Sequence, residues 1–169
     1  MKVKRAYIHC LDTRRVCFLL YNNINIDKTK IRLLVTGGTI DHLDYTKEEN
    51  TPKKHLSLIP NLLKQARISV DCEIEILMQK DSRVITENDR RLILDRCINC
   101  AEKRILIIHG TFTMPETAKY IGKNNLDKTI ILFGSAIPAN KENSDALFNL
   151  GAAFMACQLL PHGVYICHE

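Results

Sequence analysis

No apolar run in this chain of 169 residues approaches the ~20 needed to cross a bilayer, so the sequence offers no membrane span. The hydrophobic patch near its start, Val16 to Tyr21, is too short for the apolar core of a secretory leader. An excess of one charge is missing as well. Of 24 Lys and Arg, 7 fall within the first thirty residues, against 2 of the 19 Asp and Glu, so beyond Lys30 17 basic residues face 17 acidic ones. The formal charge of +5 therefore belongs to the leading segment, and nothing in it calls for a nucleic-acid groove. The seven cysteines are odd in number and scattered from Cys10 to Cys167, which argues against a disulfide framework and fits a reducing, cytoplasmic setting. Cys97 and Cys100 lack a second pair or histidines at ligand spacing, so they read as half-buried thiols, and no metal or cofactor is expected. Neither the G-x-G-x-x-G pattern nor the P-loop lysine pattern is present, which counts against a nucleotide-phosphate loop.

What is present is an alternation of strand and helix patterns. A chain of this length forms one domain able to bury roughly 70% of its unfolded surface, without staples. Residues 1–30 stand outside the alternation and are expected to form a weakly ordered extension, with an added strand or a misassigned start as other readings. From Ile31 the apolar runs Ile31 to Val35, Ile105 to Ile108 and Thr129 to Phe133 read as buried strands. Ile68 to Met78 alternates like an edge strand, and Val164 to Cys167 reads as a last short one. Helical spacing predicts helices from Leu56 to Ala66 with Pro60 in the first turn or at a kink, after the capping sequence Thr86 to Asp89, from Thr113 to Ile121, and after Ser144 and Asp145. The expected fold is a single α/β domain, residues 31–169, with an open, mostly parallel sheet and helices on both faces, Rossmann- or flavodoxin-like.

Two loops stand out. Val35-Thr36-Gly37-Gly38-Thr39-Ile40 and Ile108-His109-Gly110-Thr111-Phe112-Thr113-Met114 each follow a buried strand, so a parallel sheet delivers both to one carboxyl edge, where open α/β proteins bind ligands. Glycine permits sharp turns and close backbone approach, and each threonine sets a hydroxyl on the rim. One such loop reads as helix capping and tight turning; two of matching detail read as a site. A hydroxyl nucleophile needs a base, and amide hydrolysis needs donors for the oxyanion, which backbone N–H groups of such turns supply. His109, at a strand end, reads as a structural hydrogen-bonding group.

The two loops resemble the T-G-G-T-I and H-G-T-D-T-M signatures of the bacterial-type L-asparaginase family. The resemblance extends through Lys80-Asp81-Ser82, Leu132 to Pro138, Ser144 to Gly151 and Leu160 to Ile166, and so covers almost all of residues 31–169. It implies hydrolysis of a small side-chain amide, as in asparagine or glutamine, through a threonine nucleophile and without a cofactor. Carried over position by position, it implies Thr39 as nucleophile, Tyr45 as its helper, Thr111 in a second proton-transfer group, and Gly38, Gln79, Lys80, Asp81, Gly110 and Phe112 around the substrate. Lys80 would attract a carboxylate and Asp81 an amine, while a solvated capping loop is the plainer reading of that stretch. The partners implied are a small amide or amino acid, with a homo-oligomer compatible and neither nucleic acid nor membrane involved.

The sequence departs from the family where its aspartate is replaced by Phe112, which cannot accept a proton or pair with a cation. Phe133 and Ala136 depart from the residues usual there. The chain also ends at Glu169, before the segment expected to carry the family's catalytic lysine and before its C-terminal domain, the pattern of a truncated short form. Loss of two members of a coupled set costs about 10⁴-fold or more in rate. The expectation is an impaired amidohydrolase domain, the rival a non-catalytic small-molecule-binding descendant or truncated gene product.

Overall fold

The computed structural model describes residues 30–41 and 57–168. Its centre is made by the strands whose sequences are almost wholly apolar: β1 (Ile31–Gly37), β3 (Arg104–Ile108) and β4 (Thr129–Phe133). Such runs suit parallel strands covered on both faces. The mixed sequences of β2 (Cys72–Lys80) and β5 (Gly163–Cys167) occupy the two edges of a five-stranded sheet with order β2-β1-β3-β4-β5. Every neighbouring pair is parallel.

Among the described residues, four α-helices cover the sheet. Alternate strand residues define two cores. Ile31, Leu33 and Val35 pack with Leu106, Ile108, Ile131 and Phe133 under α1 (Ile59–Gln65) and α4 (Ala146–Leu159). Leu34, Ile105, Ile107, Ile130 and Leu132 pack on the other face under α2 (Glu87–Asn99) and α3 (Met114–Gly122). Pro60 and Pro115 sit in the first turns of α1 and α3, where proline removes no helical hydrogen bond. At α2 the expected capping box is formed: the Asp89 N–H donates to Thr86 Oγ1 (3.3 Å) while the Thr86 N–H donates to Asp89 Oδ2 (2.8 Å).

Boundaries differ from the sequence expectation in several places: the first helix starts at Ile59 and not at Leu56, the second strand runs on to Lys80, and two further shifts have a visible cause. The second strand starts at Cys72 and not at Ile68, because Arg67 takes a left-handed conformation (φ 52°) and Ile68 to Asp71 spend their length turning back to the sheet. The last helix starts at Ala146, one residue after Asp145, whose carboxylate is spent on another loop.

The strand order reverses direction between β1 and β3. The connection from β1 steps outward to β2, whereas β3 leads to β4 on the opposite side, so the carboxyl ends of β1 and β3 flank a topological switch point. Beside it the β1–β2 register shifts from Val35↔Ile76 to Gly37↔Lys80, and this irregularity carries the end of β2 to the same rim.

Candidate functional site

Both glycine-threonine loops leave the sheet at the switch point. Thr36, next to last in β1, donates its hydroxyl to the Ile108 carbonyl (2.7 Å), which ties the end of β1 to that of β3. Gly37 and Gly38 then take φ values of 108° and 94°, open to glycine and strained for other residues. A Cβ on Gly38 would stand 2.7 Å from the Gly110 nitrogen and 2.8 Å from its Cα, so the two loops meet backbone to backbone. Thr39, partly buried, begins a single 3₁₀ turn, Thr39–Asp41. Asp41 anchors that turn, since its Oδ1 accepts from Ser57 Oγ (2.8 Å) and from the Leu58 N–H (2.7 Å) just before α1. Its Oδ2 is buried and has no hydrogen-bond partner among the described residues.

The loop after β3 is held from below. His109 is fully buried, with Nδ1 2.7 Å from the Gly110 carbonyl and Nε2 2.9 Å from Thr117 Oγ1. A carbonyl can only accept, so Nδ1 carries the proton and Nε2 accepts from Thr117, whose oxygen accepts in turn from Arg90 Nε (3.2 Å). Burial holds the His109 pKa below its ordinary value, Arg90 adds to that, and the bond to Gly110 and the charge of Glu116 oppose it. His109 is thus a neutral strut that fixes the Gly110 peptide. Thr111 is partly buried above it, while the Phe112 side chain stands in solvent.

Two further loops close the rim. The Gly38 N–H donates to the Lys80 carbonyl (3.2 Å), Ser82 packs directly on Gly110, and Thr113 Oγ1 donates to the Ser82 carbonyl (2.7 Å). On the other side a Cβ at Gly134 would run into the His109 carbonyl and come within 3.4 Å of Thr111 Cγ2. The Gly134 loop is pinned by Asp145, whose carboxylate accepts from the Ala136 N–H (2.9 Å), the Ile137 N–H (3.0 Å) and Asn149 Nδ2 (2.8 Å). Burial works against the charge of Asp145, and those backbone donors more than offset it, holding its pKa low.

The fold therefore brings the loop carrying Gly38 and Thr39 against the loop carrying Gly110 and Thr111 at the switch point, with the Lys80 backbone beside Gly38. The charged ends of β2 are turned to other work. Lys80 Nζ lies 2.7 and 2.9 Å from the two oxygens of Asp89, and Asp81 caps the 3₁₀ turn Ser82–Val84 through the Arg83 N–H (2.8 Å) while pairing with Arg83 Nε (2.7 Å). Gln79 is a partly buried residue of β2. Tyr45 lies outside the described residues. Sequence reasoning gave Asp145 a place at the start of a helix and Ser82 and Gly134 places in the resembling stretches, but no part in the site to any of them or to Thr117; Ser82 and Gly134 are recognisable only as small residues where backbones cross, and the others only once their partners are folded against them. Clefts of about 380 and 330 Å³ lie at the opposite, amino edge around His162, away from both threonine loops. No helix among the described residues is long and apolar enough to cross a membrane.

Chemically the crevice offers threonine hydroxyls and backbone groups on a rigid frame. The description "Asparaginase, N-terminal" belongs to the family whose pattern matches residues 30–169. The thermostable L-asparaginase from Thermococcus kodakarensis superposes with a TM-score of 0.70 at 29% identity, over 82% of this chain and 43% of that one. L-asparaginase I from Vibrio cholerae follows at 0.66 and 28%, over 80% and 42%. A glutamyl-tRNA(Gln) amidotransferase subunit from Aeropyrum pernix is 28% identical over 156 residues, 85% of this chain and 35% of that protein. The chain thus spans about a third of that relative and just over two fifths of the solved structures.

Proposed function

Because the chain belongs to the asparaginase family, matched over that family's N-terminal domain, we propose that its carboxyl edge binds a small amide between the Thr39 and Thr111 loops and that hydrolysis there is strongly impaired. The observation that carries this reading is the backbone contact of Gly38 with Gly110 at the switch point, which brings together the loops that carry Thr39 and Thr111. In the reaction, Thr39 Oγ attacks the amide carbonyl, its proton passes to the departing ammonia, and water then cleaves the resulting ester. Backbone N–H groups of the two turns, other than that of Gly38, which is bonded to the Lys80 carbonyl, are the candidate donors to the oxyanion.

The impairment rests on what surrounds the hydroxyls. A threonine hydroxyl needs a base or a polarised proton network, and the charged side chains at this rim are engaged with Asp89, with Arg83 or with backbone N–H groups. Phe112 offers neither charge nor proton acceptor. Free cysteines at every described position support a reducing compartment such as the cytoplasm. The expected result for the purified chain is no ammonia release from asparagine or glutamine above background, together with amide-ligand shifts at the Gly38, Gly110 and Thr111 backbone resonances in NMR titration. Rapid hydrolysis abolished by Thr39→Ala would overturn the impairment; absence of shifts with every amide tried would overturn the site.

A further inference from the structure

Three interlocked loops form the rim of the crevice, and each presents a large apolar side chain to solvent. Val84 after β2 is 61% exposed, Phe112 after β3 73%, and Ile137 after β4 38%. An isolated exposed apolar residue is ordinary; these three stand on loops that touch one another beside the switch point, and Phe112 directly follows Thr111. The loops do touch: Ser82 lies against Gly110, Thr113 bonds the Ser82 carbonyl, and Gly134 lies against Thr111.

The ionisable side chains on the same rim are already engaged within the protein. Lys80 is paired with Asp89, and Asp81 with Arg83. Asp145 is taken up by two backbone N–H groups and Asn149. Asp41 is only 3% exposed and is turned toward the start of α1. A zwitterion entering here would lose hydration from its ammonium and carboxylate and find Lys80 and Asp81 already ion-paired, and Asp41 and Asp145 already held by hydrogen bonds. A neutral carboxamide loses less, keeps the hydroxyl and backbone hydrogen bonds open to any amide, and can cover the Phe112 ring with an apolar substituent.

We infer that the ligand class of this crevice is an uncharged carboxamide bearing an apolar or aromatic group, seated with its amide at the threonine loops and its substituent on Phe112. This inference rests on the proposed amide site and narrows it. The Phe112 ring supplies the selectivity, and the paired charges exclude amino acids.

The test is a titration of the purified chain with phenylacetamide, acetamide and asparagine, read at the Gly38, Gly110 and Thr111 backbone amides. Phenylacetamide is expected to bind at least about tenfold more tightly than either other probe, a difference of about 1.4 kcal/mol. Phe112→Ala is expected to erase that advantage by weakening phenylacetamide at least about tenfold. Because Phe112 lies in solvent, its variants retain the fold, and an unchanged unfolding midpoint verifies this. Phe112→Asp should reverse the order in favour of asparagine. Asparagine binding the unmodified chain as tightly as phenylacetamide overturns the inference and leaves the amide site standing. Phenylacetamide binding that is indifferent to Phe112→Ala also overturns it, as does a concentration-dependent dimer that Phe112→Ala dissolves, since a second copy would then be what covers the ring. Shifts with none of the three probes remove the amide site itself.

Discussion

Gly38 and Gly110 are in backbone contact at the ends of β1 and β3, with 2.7 Å between the Gly110 nitrogen and the point where a Gly38 side chain would begin. Gly38 also sits at φ 94°, so a side chain there meets both a clash with backbone and an unfavourable conformation. Gly38→Ala is expected to lower stability by at least about 2 kcal/mol. Gly151 is the internal control, because a Cβ at that helical position meets nothing within 4 Å. Gly151→Ala should stabilise by about 0.5–1 kcal/mol. Urea unfolding of the two variants checks the pair, and equal effects would mean that the crevice is not closed by this contact.

Gly110 makes a different demand, since a Cβ there meets the Ser82 side chain, Oγ at 2.7 Å and Cβ at 2.8 Å. Side chains can be exchanged and backbone cannot. Gly110→Ala should therefore be recovered in part by Ser82→Gly, whereas no single partner change should recover Gly38→Ala. Thermal midpoints of the double variant decide this; strict additivity of the two losses would show that Ser82 is not the obstacle.

The central strands were legible in the sequence because Ile31 to Val35, Ile105 to Ile108 and Thr129 to Phe133 are mostly apolar runs, interrupted by Arg32 and opened by Thr129, with a glycine within two residues of each end, and both threonine loops follow from the first two runs. The edge strand was read less well. Alternation placed Glu73 and Glu75 on a polar face, but these glutamates pair with Lys30, Arg32 and Arg96 and are only partly exposed, while Ile76 on the apolar face is half exposed. Alternation reports chemical type, and burial depends on which helix lies above. At the site, Lys80 and Asp81 looked like ligand contacts because their partners Asp89 and Arg83 reach them only after the turn at Ser82–Val84 has formed. The solvent position of Phe112 runs against its residue type, so only the fold reveals it.

His109 makes stability depend on pH in a definite direction. Its folded pKa is depressed, so it contributes stability above the unfolded value of ~6.5, and that contribution is lost as pH falls through the folded value. The stability advantage of the unmodified chain over His109→Gln should therefore be full near pH 8 and shrink on acidification below ~6.5. Urea unfolding across that range measures it. A gap that widens toward acid would mean that His109 is charged in the folded protein and that the tautomer assigned from the Gly110 and Thr117 bonds is wrong.

Burial raises the thiol pKa of Cys97 and Cys157 to about 12, and that of Cys72 to about 11. The thiolate is the reactive form, so at pH 8 these three should be nearly inert to a disulfide reagent in the native protein and react at once in denaturant. Fast native-state reaction at Cys97 or Cys157, located by peptide mapping, would show that the core opens locally far below the global unfolding energy.

Asp89 joins the start of α2 to the rim of the site, because the carboxylate that completes the capping box with Thr86 also holds Lys80 Nζ at 2.7 Å. Burial opposes its charge, and Lys80 and Thr86 more than compensate, leaving its pKa below the ordinary carboxylate value. Asp89→Asn keeps an acceptor for Thr86 and loses the ion pair, which is expected to cost about 1 kcal/mol at pH 7, discounted because Lys80 is part-exposed. A depressed carboxylate contributes stability above its unfolded pKa, ~3.8, and loses it as pH falls through the folded value, so the gap between the two proteins should close in strong acid. The variant also releases the Lys80 ammonium at the end of β2, beside the Gly38 loop. Binding of acetate, undetectable for the unmodified chain, should then appear at the Gly38 amide. A stability gap independent of pH would mean that the loss comes from helix capping alone and that Lys80 was never held by charge.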